Sequence, residues 1–437
     1  MKKFLPILSL ILLLTACVSK STSSVTSDSE DVSSGDTPIG EDSSDSNNTA
    51  EVGNVKEVTG NYDADFELCK NTEYVNLDWT NAGKCPVYPI DELYNIKTKN
   101  AMANEEIPAK EMLVKFEEYC NFYFGEYIDD HAFFEDETDK GGETLPYLPI
   151  IYIDGVPYAD HYKITDYREK LENEVIKINY LAYRNIEKNQ YLWWVWNSYP
   201  HWINKGSALT VLDDSSNRCS SWLPSDMGEP LARYYNDGKN DDVKYMLADG
   251  EVSIGEAIKY FTEEYPKTLP YEDKTTYSVN YVDVFELGDG TYGYLFHASA
   301  LFGSVAFEQI GEIVLSGSTV FNYETENSQA LMVGKNDIDA LYSCEPRTKD
   351  EREGDPIMNI VSLKEAADIV SEKMSQYVKF KVVSTELVYH GRRDQEDVAQ
   401  AHLKPTWELK LYNENDGTYY NTYVDAATGA FSVFNYT

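Results

Sequence analysis

Val252-Ser253-Ile254-Gly255-Glu256-Ala257 returns 109 positions later as Val361-Ser362-Leu363-Lys364-Glu365-Ala366, and this repeat decides how the second half of the chain is read. Each copy sets a serine where a helix would begin and a glutamate three residues on. That spacing predicts a capping box, in which the hydroxyl accepts from the third helical N–H while the carboxylate accepts from the N–H of the cap residue. Helical periodicity follows both times: Ile254, Ala257, Ile258 and Phe261 share one face, and Leu363, Ala366, Ala367, Val370 and Met374 share the other.

The sequence after each helix turns to strands. Tyr277 to Leu287 and Tyr292 to Ala298 flank the turn Gly288-Asp289-Gly290, with more strand-like sequence through Val320. After the second helix come Lys379 to Tyr389, Thr406 to Tyr412, Tyr419 to Val424 and Ala430 to Asn435, with Asn415-Asp416-Gly417 as a hairpin turn. Each copy is expected to lay its helix on one face of an antiparallel sheet.

The Ser-x-x-Glu-Ala helix start, Leu403-Lys404-Pro405-Thr406-Trp407 entering a strand, and Val424-Asp425-Ala426-Ala427-Thr428-Gly429 before the last strand together resemble the PepSY domain. The segment Ser362 to Thr437 carries the better match; the copy from Ser253 to about Tyr323 lacks the Asp-Ala-x-Thr-Gly ending. The resemblance implies a small α+β module of the kind found in propeptides of thermolysin-type peptidases and in envelope proteins. It therefore implies a role in holding or inhibiting a secreted peptidase, or in envelope assembly.

Upstream, Lys110 to Tyr123 reads as a helix with Met112, Phe116, Tyr119, Cys120 and Tyr123 on one side, and Thr165 to Glu187 as a second. Leu145 to Ile153 with Asp154-Gly155 suggests a hairpin, and Tyr191 to Trp202 and Ala208 to Leu212 read as strands. The expected fold class is α+β: a mixed N-terminal α+β domain at 61–250, then two helix-on-antiparallel-sheet (PepSY-like) units at 251–345 and 355–437. The second unit is expected to fold alone.

The N-terminus reads as an export signal. Lys2 and Lys3 precede the apolar run Phe4 to Leu14, too short to span a bilayer, and Leu14-Thr15-Ala16-Cys17 closes it. This tetrapeptide resembles the lipobox of bacterial lipoproteins. The resemblance implies that residues 1–17 comprise the signal peptide and lipidation site, that Cys17 carries diacylglycerol and palmitate, and that the mature chain is anchored to the membrane on the extracytoplasmic side. Residues 18–60 hold eleven Ser, five Thr and nine Asp or Glu but no aromatic residue, the composition of an unfolded tether.

The chain carries 37 Lys and Arg against 75 Asp and Glu, a formal charge of −38. That excess argues against nucleic acid and anionic lipid as partners, which need a basic face, and favours solubility, cationic partners and loosely bound divalent cations; together with the resemblances it implies a protein or peptide partner in the envelope. Five cysteines remain besides Cys17. Oxidising surroundings would permit a Cys69–Cys85 disulfide, and buried reduced thiols are the other reading.

Chemistry is sparsely signalled. The chain holds no H-E-x-x-H, G-x-S-x-G or Walker-type motif, and its six histidines stand apart, so neither catalytic residues, nor a metal site, nor a cofactor is expected. The acidic turn Asp237-Gly238-Lys239-Asn240-Asp241-Asp242 lacks the order of a calcium loop. The aromatic run from Trp193 to Trp222 is the one candidate ligand surface. Trp194, Trp196, Trp202 and Trp222 could stack on sugars or a peptide, or they could fill a core. The expected function is therefore that of a lipid-anchored, non-enzymatic binding or regulatory protein; the alternative is a glycan- or peptidoglycan-binding protein or hydrolase built on Trp193 to Trp222.

Overall fold

A computed structural model of the chain describes residues 61–90, 92–100, 109–136, 152–153, 156–157, 161–173, 178–185, 187–188, 190–195, 202–205, 212–213, 218–219, 229–270, 276–287, 290–307, 311–315, 318–322, 328–343, 348–393 and 400–436. Among these, nineteen strands belong to one hydrogen-bonded sheet. In chain order they are β1 (Leu77–Asp78), β2 (Gly83–Lys84), β3 (Leu93–Asn100), β4 (Ala132–Asp136), β5 (His161–Lys163), β6 (Ile178–Asn185), β7 (Gln190–Val195), β8 (Trp202–Asn204), β9 (Ala232–Tyr235) and β10 (Tyr277–Leu287). There follow β11 (Thr291–Phe302), β12 (Val305–Phe307), β13 (Ser328–Gly334), β14 (Asp337–Ser343), β15 (Thr348–Ile357), β16 (Phe380–Arg393), β17 (Gln400–Asn413), β18 (Thr418–Asp425) and β19 (Phe431–Tyr436).

The sheet has two arms. The first is antiparallel throughout, in the order β5-β4-β6-β7-β8-β14-β13-β11-β10-β9. The second centres on β16, which pairs in parallel with β1 and β2 and antiparallel with β17; β17 in turn carries β18 and then β19 on one stretch and β3 with β15 on another. Strand β12 joins the arms, antiparallel to β11 and parallel to β16. Gly303, at φ +61° in the turn between β11 and β12, takes the left-handed conformation that this reversal needs.

Among the described residues five helices cover the arms: α1 (Tyr62–Asn71), α2 (Ala109–Phe124), α3 (Ile164–Asn173), α4 (Ile254–Lys259) and α5 (Leu363–Lys373). Helix α4 runs on through a π-helical turn, Tyr260–Glu264, into Tyr265–Thr268. Pro266 has no N–H to offer the preceding turn, and the wider turn accommodates that loss. Both capping boxes are formed. Glu256 N donates to Ser253 Oγ at 3.2 Å and Ser253 N to Glu256 Oε2 at 2.9 Å; Glu365 N and Ser362 N repeat the pair at 3.2 and 2.9 Å.

Two apolar cores result. Helices α2, α3 and α4 pack on one face of the first arm, where Phe261 stacks on Phe296 with ring centroids 4.9 Å apart. Helices α1 and α5 pack on the second arm around Trp407, which stacks on Tyr62 at 5.7 Å. The second core thus joins residues 62–100 to residues 348–436.

These findings correct the expected fold class. The molecule is dominated by strands, and the C-terminal strands do not close as separate PepSY-like helix-on-sheet units after a mixed N-terminal α+β domain. They are hydrogen-bonded to β1, β2, β3 and β12, and their core is completed by α1. The physical reason is the apolar face of α1: Tyr62, Phe66 and Cys69 are buried against α5 and β16 to β18, a surface that 355–437 alone would leave wet. The second upstream helix is also shorter than expected. It ends at Asn173, and the β-branched and aromatic stretch Ile178–Asn185 pairs with β4 and β7 as a strand instead.

Candidate functional site

Trp194, the described member of the expected aromatic surface, is in the core. On β7 it lies against α2, parallel to Phe116 at 6.4 Å and edge-on to Tyr119 at 5.3 Å, and is 3% exposed. The face that would have stacked a ligand is filled by the helix. Trp202 opens β8, its Cα paired with those of Trp193 and Tyr342; its side chain, and the whole of Trp196 and Trp222, lie outside the described residues. Cys17 lies outside them as well.

No disulfide joins Cys69 to Cys85. Cys69 is packed in the core beside Tyr74, and burial pushes its thiol up to about 12. The backbone N–H of Cys85 bonds to Thr385 O on β16, which holds that residue along the strand. The acidic turn is closed by its own lysine, Lys239 Nζ donating to Asp237 Oδ2 at 2.8 Å. Among the described residues no group of three or more His, Cys, Asp or Glu is placed to hold a metal ion.

What sequence reasoning missed is a buried polar layer. Strand β10 alternates Val279, Val282 and Val284 toward the first core with Ser278, Asn280, Tyr281 and Asp283 on the other side, around an irregularity between Val279 and Tyr281. His297 and Ser299 of β11 extend that polar face. The face is buried, and Phe285 and Leu295 lie on it among the polar groups; part of it meets the second arm. Asn280 Nδ2 donates to Glu386 Oε2 at 3.1 Å and to Ser299 Oγ at 3.0 Å. Tyr88 and Ser278 share a hydrogen bond of 3.1 Å, and Tyr235 donates to Val383 O at 3.3 Å. Gly83 leaves the space for that tyrosine, whose ring lies 2.0 Å from where a Cβ would stand. Glu386 and Glu408 face one another in register across β16 and β17, each 3% exposed.

At the centre of the first arm's contribution is Asp283. The guanidinium of Arg233 grips it with two bonds of 2.7 Å, and His297 Nε2 stands 3.2 Å from the same carboxylate. Burial alone would raise the Asp283 carboxyl; the hydrogen bonds and charges of Arg233 and His297 outweigh it and hold the group below its ordinary value. Tyr281 lies between the two bases, its ring 4.2 Å from His297 and 4.1 Å from the Arg233 guanidinium. The other ring nitrogen of His297, Nδ1, faces Gln329 Nε2 at 3.3 Å. The ring thus lies within 3.2 Å of a carboxylate on one nitrogen and 3.3 Å of an amide on the other.

No family model matches the chain, and no curated protein matches it. Among solved structures it is similar to the crystal structure of an uncharacterized protein from Eubacterium rectale ATCC 33656, with 12% identity, a TM-score of 0.49, and coverage of 85% of this chain and 98% of that one. A likeness at that level fixes neither fold nor function.

Proposed function

We propose that the protein is a lipid-anchored, extracytoplasmic binding protein whose partner is a protein or peptide of the cell envelope. Leu14-Thr15-Ala16-Cys17 supports the anchor and residues 18–60 the tether. The observation that supports binding over catalysis is that the histidine–carboxylate pair of the candidate site is shut away: Asp283 and His297 are 3% and 4% exposed, and Asp283 is gripped by two bonds from Arg233, so we read the group as a clasp between strands. The formal charge of −38 supports a partner with a basic surface. Trp194 is buried, so the glycan reading rests on Trp196, Trp202 and Trp222, whose side chains lie outside the described residues, and the peptidase-directed role loses the fold that implied it. Among the described residues no helix is long and apolar enough to cross a membrane.

Two measurements test this reading. Labelled palmitate should enter the wild-type protein and not the Cys17→Ala variant, which should leave the membrane fraction; a cleaved Cys17→Ala protein that stays in the membrane would contradict the anchor. The purified 61–437 protein should turn over neither peptidoglycan, casein nor simple glycosides. Hydrolysis of any of them, abolished by Asp283→Asn, would make the clasp an active site.

A further inference from the structure

Strand β19 is an edge of the second arm: among the described residues it pairs with β18 alone. Asp425 N donates to Ala430 O, which makes those two residues a hydrogen-bonded pair, so Val424 with Phe431 and Thr422 with Val433 are pairs that exchange no bonds. The backbone N–H and C=O groups of Phe431 and Val433 therefore point away from β18. Val433 is 41% exposed and Phe431 half-buried, so water reaches this edge. The strand reads Phe431-Ser432-Val433-Phe434-Asn435-Tyr436, with neither a charge nor a proline. Strand β15, which pairs with β3 alone among the described residues, is its opposite: Lys349, Asp350, Glu351, Arg352 and Pro356 stand along it. Charges and proline keep an open edge from pairing with another chain, and the molecule places them on β15 but not on β19.

Helix α5 borders the bare edge, touching β18 and β19. Its buried stripe lies on the sheet, and on one flank Asp368 accepts from Tyr74, just after α1. The opposite flank carries Glu365, Ile369 and Glu372, neighbours at helical spacing. Ile369 Cδ1 lies 3.3 Å from where a Cβ on Gly429 would stand, which sets this flank beside the turn that leads into β19. Both glutamates are exposed and Ile369 is half-buried. From the bare edge and its acidic flank, we propose that β19 takes up an extended segment of the partner as an added strand, one in which Lys or Arg alternates with apolar residues. Main-chain bonds to Phe431 and Val433 hold the segment. Successive side chains point to opposite faces, so its basic residues meet Glu365 and Glu372 while its apolar ones lie beside Phe434, on the face where Phe434 packs with Tyr423. A second copy of this chain does not suit the edge, because two molecules of formal charge −38 would bring two such acidic flanks together. The inference rests on the basic partner proposed above and names the surface that receives it.

The experiment is calorimetric titration of the 61–437 protein, which contains both cores, with a capped octapeptide alternating valine and lysine. The peptide should bind, and its valine–glutamate counterpart should not. The valine–lysine peptide with its backbone nitrogens methylated should bind about tenfold or more weakly, because methylation removes the main-chain donors and keeps the charge. Val433→Pro removes an N–H that faces away from β18 and keeps the ladder intact, and it should weaken the unmethylated peptide about tenfold or more. The methylated peptide makes the same test on the wild-type protein should that variant not fold. Equal binding of the two valine–lysine peptides, or equal binding by wild type and Val433→Pro, would reduce the contact to attraction by an acidic surface and overturn the proposal, as would no binding at all. A concentration-dependent dimer that Val433→Pro abolishes would assign the edge to a second copy and overturn it likewise. The proposed function fails separately, on the Cys17→Ala fractionation and on turnover, neither of which these peptides touch.

Discussion

Trp407 Nε1–H donates to Val361 O at 2.6 Å, and Tyr294 Oη–H donates to Val252 O at the same distance. Each acceptor is the residue just before a capping serine, and each donor is a fully buried ring on the second long strand after its helix. The repeat therefore extends beyond the sequence match to a contact made by two different aromatic residues. Trp407→Phe or Tyr294→Phe keeps most of the packing and strands a buried carbonyl, so either should cost about 1–3 kcal/mol in denaturant unfolding. Asp283 makes a prediction of opposite character, one that depends on pH. Its folded-state carboxyl lies below the ordinary value, so its contribution is present in full above the unfolded value of about 4 and is lost as pH falls through the folded one. Asp283→Asn should be less stable than wild type at about pH 7 and converge with it toward about pH 2. Parallel stability curves across that range would show that the clasp adds nothing.

At the scale of elements, the helix starts were the most legible part of the chain. Ser253 and Ser362 cap as the Ser-x-x-Glu spacing requires because a capping box is a local device, completed within four residues. Ser253→Ala and Ser362→Ala should each lower stability by about 0.5–2 kcal/mol, and Glu256→Ala and Glu365→Ala should fall in the same direction; unchanged melting of all four would leave the caps without energetic weight. Strand β10 was also legible, starting and ending at Tyr277 and Leu287 as the β-rich composition indicated. Its polar side was not. Alternation tells which residues share a face, but a face of Ser278, Asn280 and Asp283 reads the same whether water or another sheet lies over it. The same limit hid the candidate site, since Arg233, Asp283 and His297 lie on three strands and converge only once β9, β10 and β11 are in register. Trp194 failed in the converse way: an aromatic run signals burial and binding alike, and α2 decides between them.

For the whole molecule, the sequence could not reveal that the chain's beginning and end make one core. The repeat drew attention to 251–437 as self-contained, yet Tyr62 lies flat on Trp407 and its hydroxyl bonds to Thr385 Oγ1 at 3.0 Å, more than 300 residues away along the chain. Asn76 does the same at the other end of α5, its Nδ2 donating to Ser371 O at 2.9 Å while its Oδ1 accepts from Ser371 Oγ at 2.7 Å. These are contacts of large sequence separation between residues with no shared local pattern, the kind that single-sequence periodicity does not carry. They make the second body of the molecule discontinuous, and they carry the central structural claim: residues 61–100 are part of the C-terminal core. The direct measurement is cooperative unfolding, followed by near-ultraviolet circular dichroism, of the isolated 355–437 piece with and without a separately supplied 61–100 peptide. The account predicts no cooperative transition for the piece alone and recovery of one, with the Trp407 signal, when the peptide is added. A sharp transition of 355–437 alone, unaltered by the peptide, would contradict it.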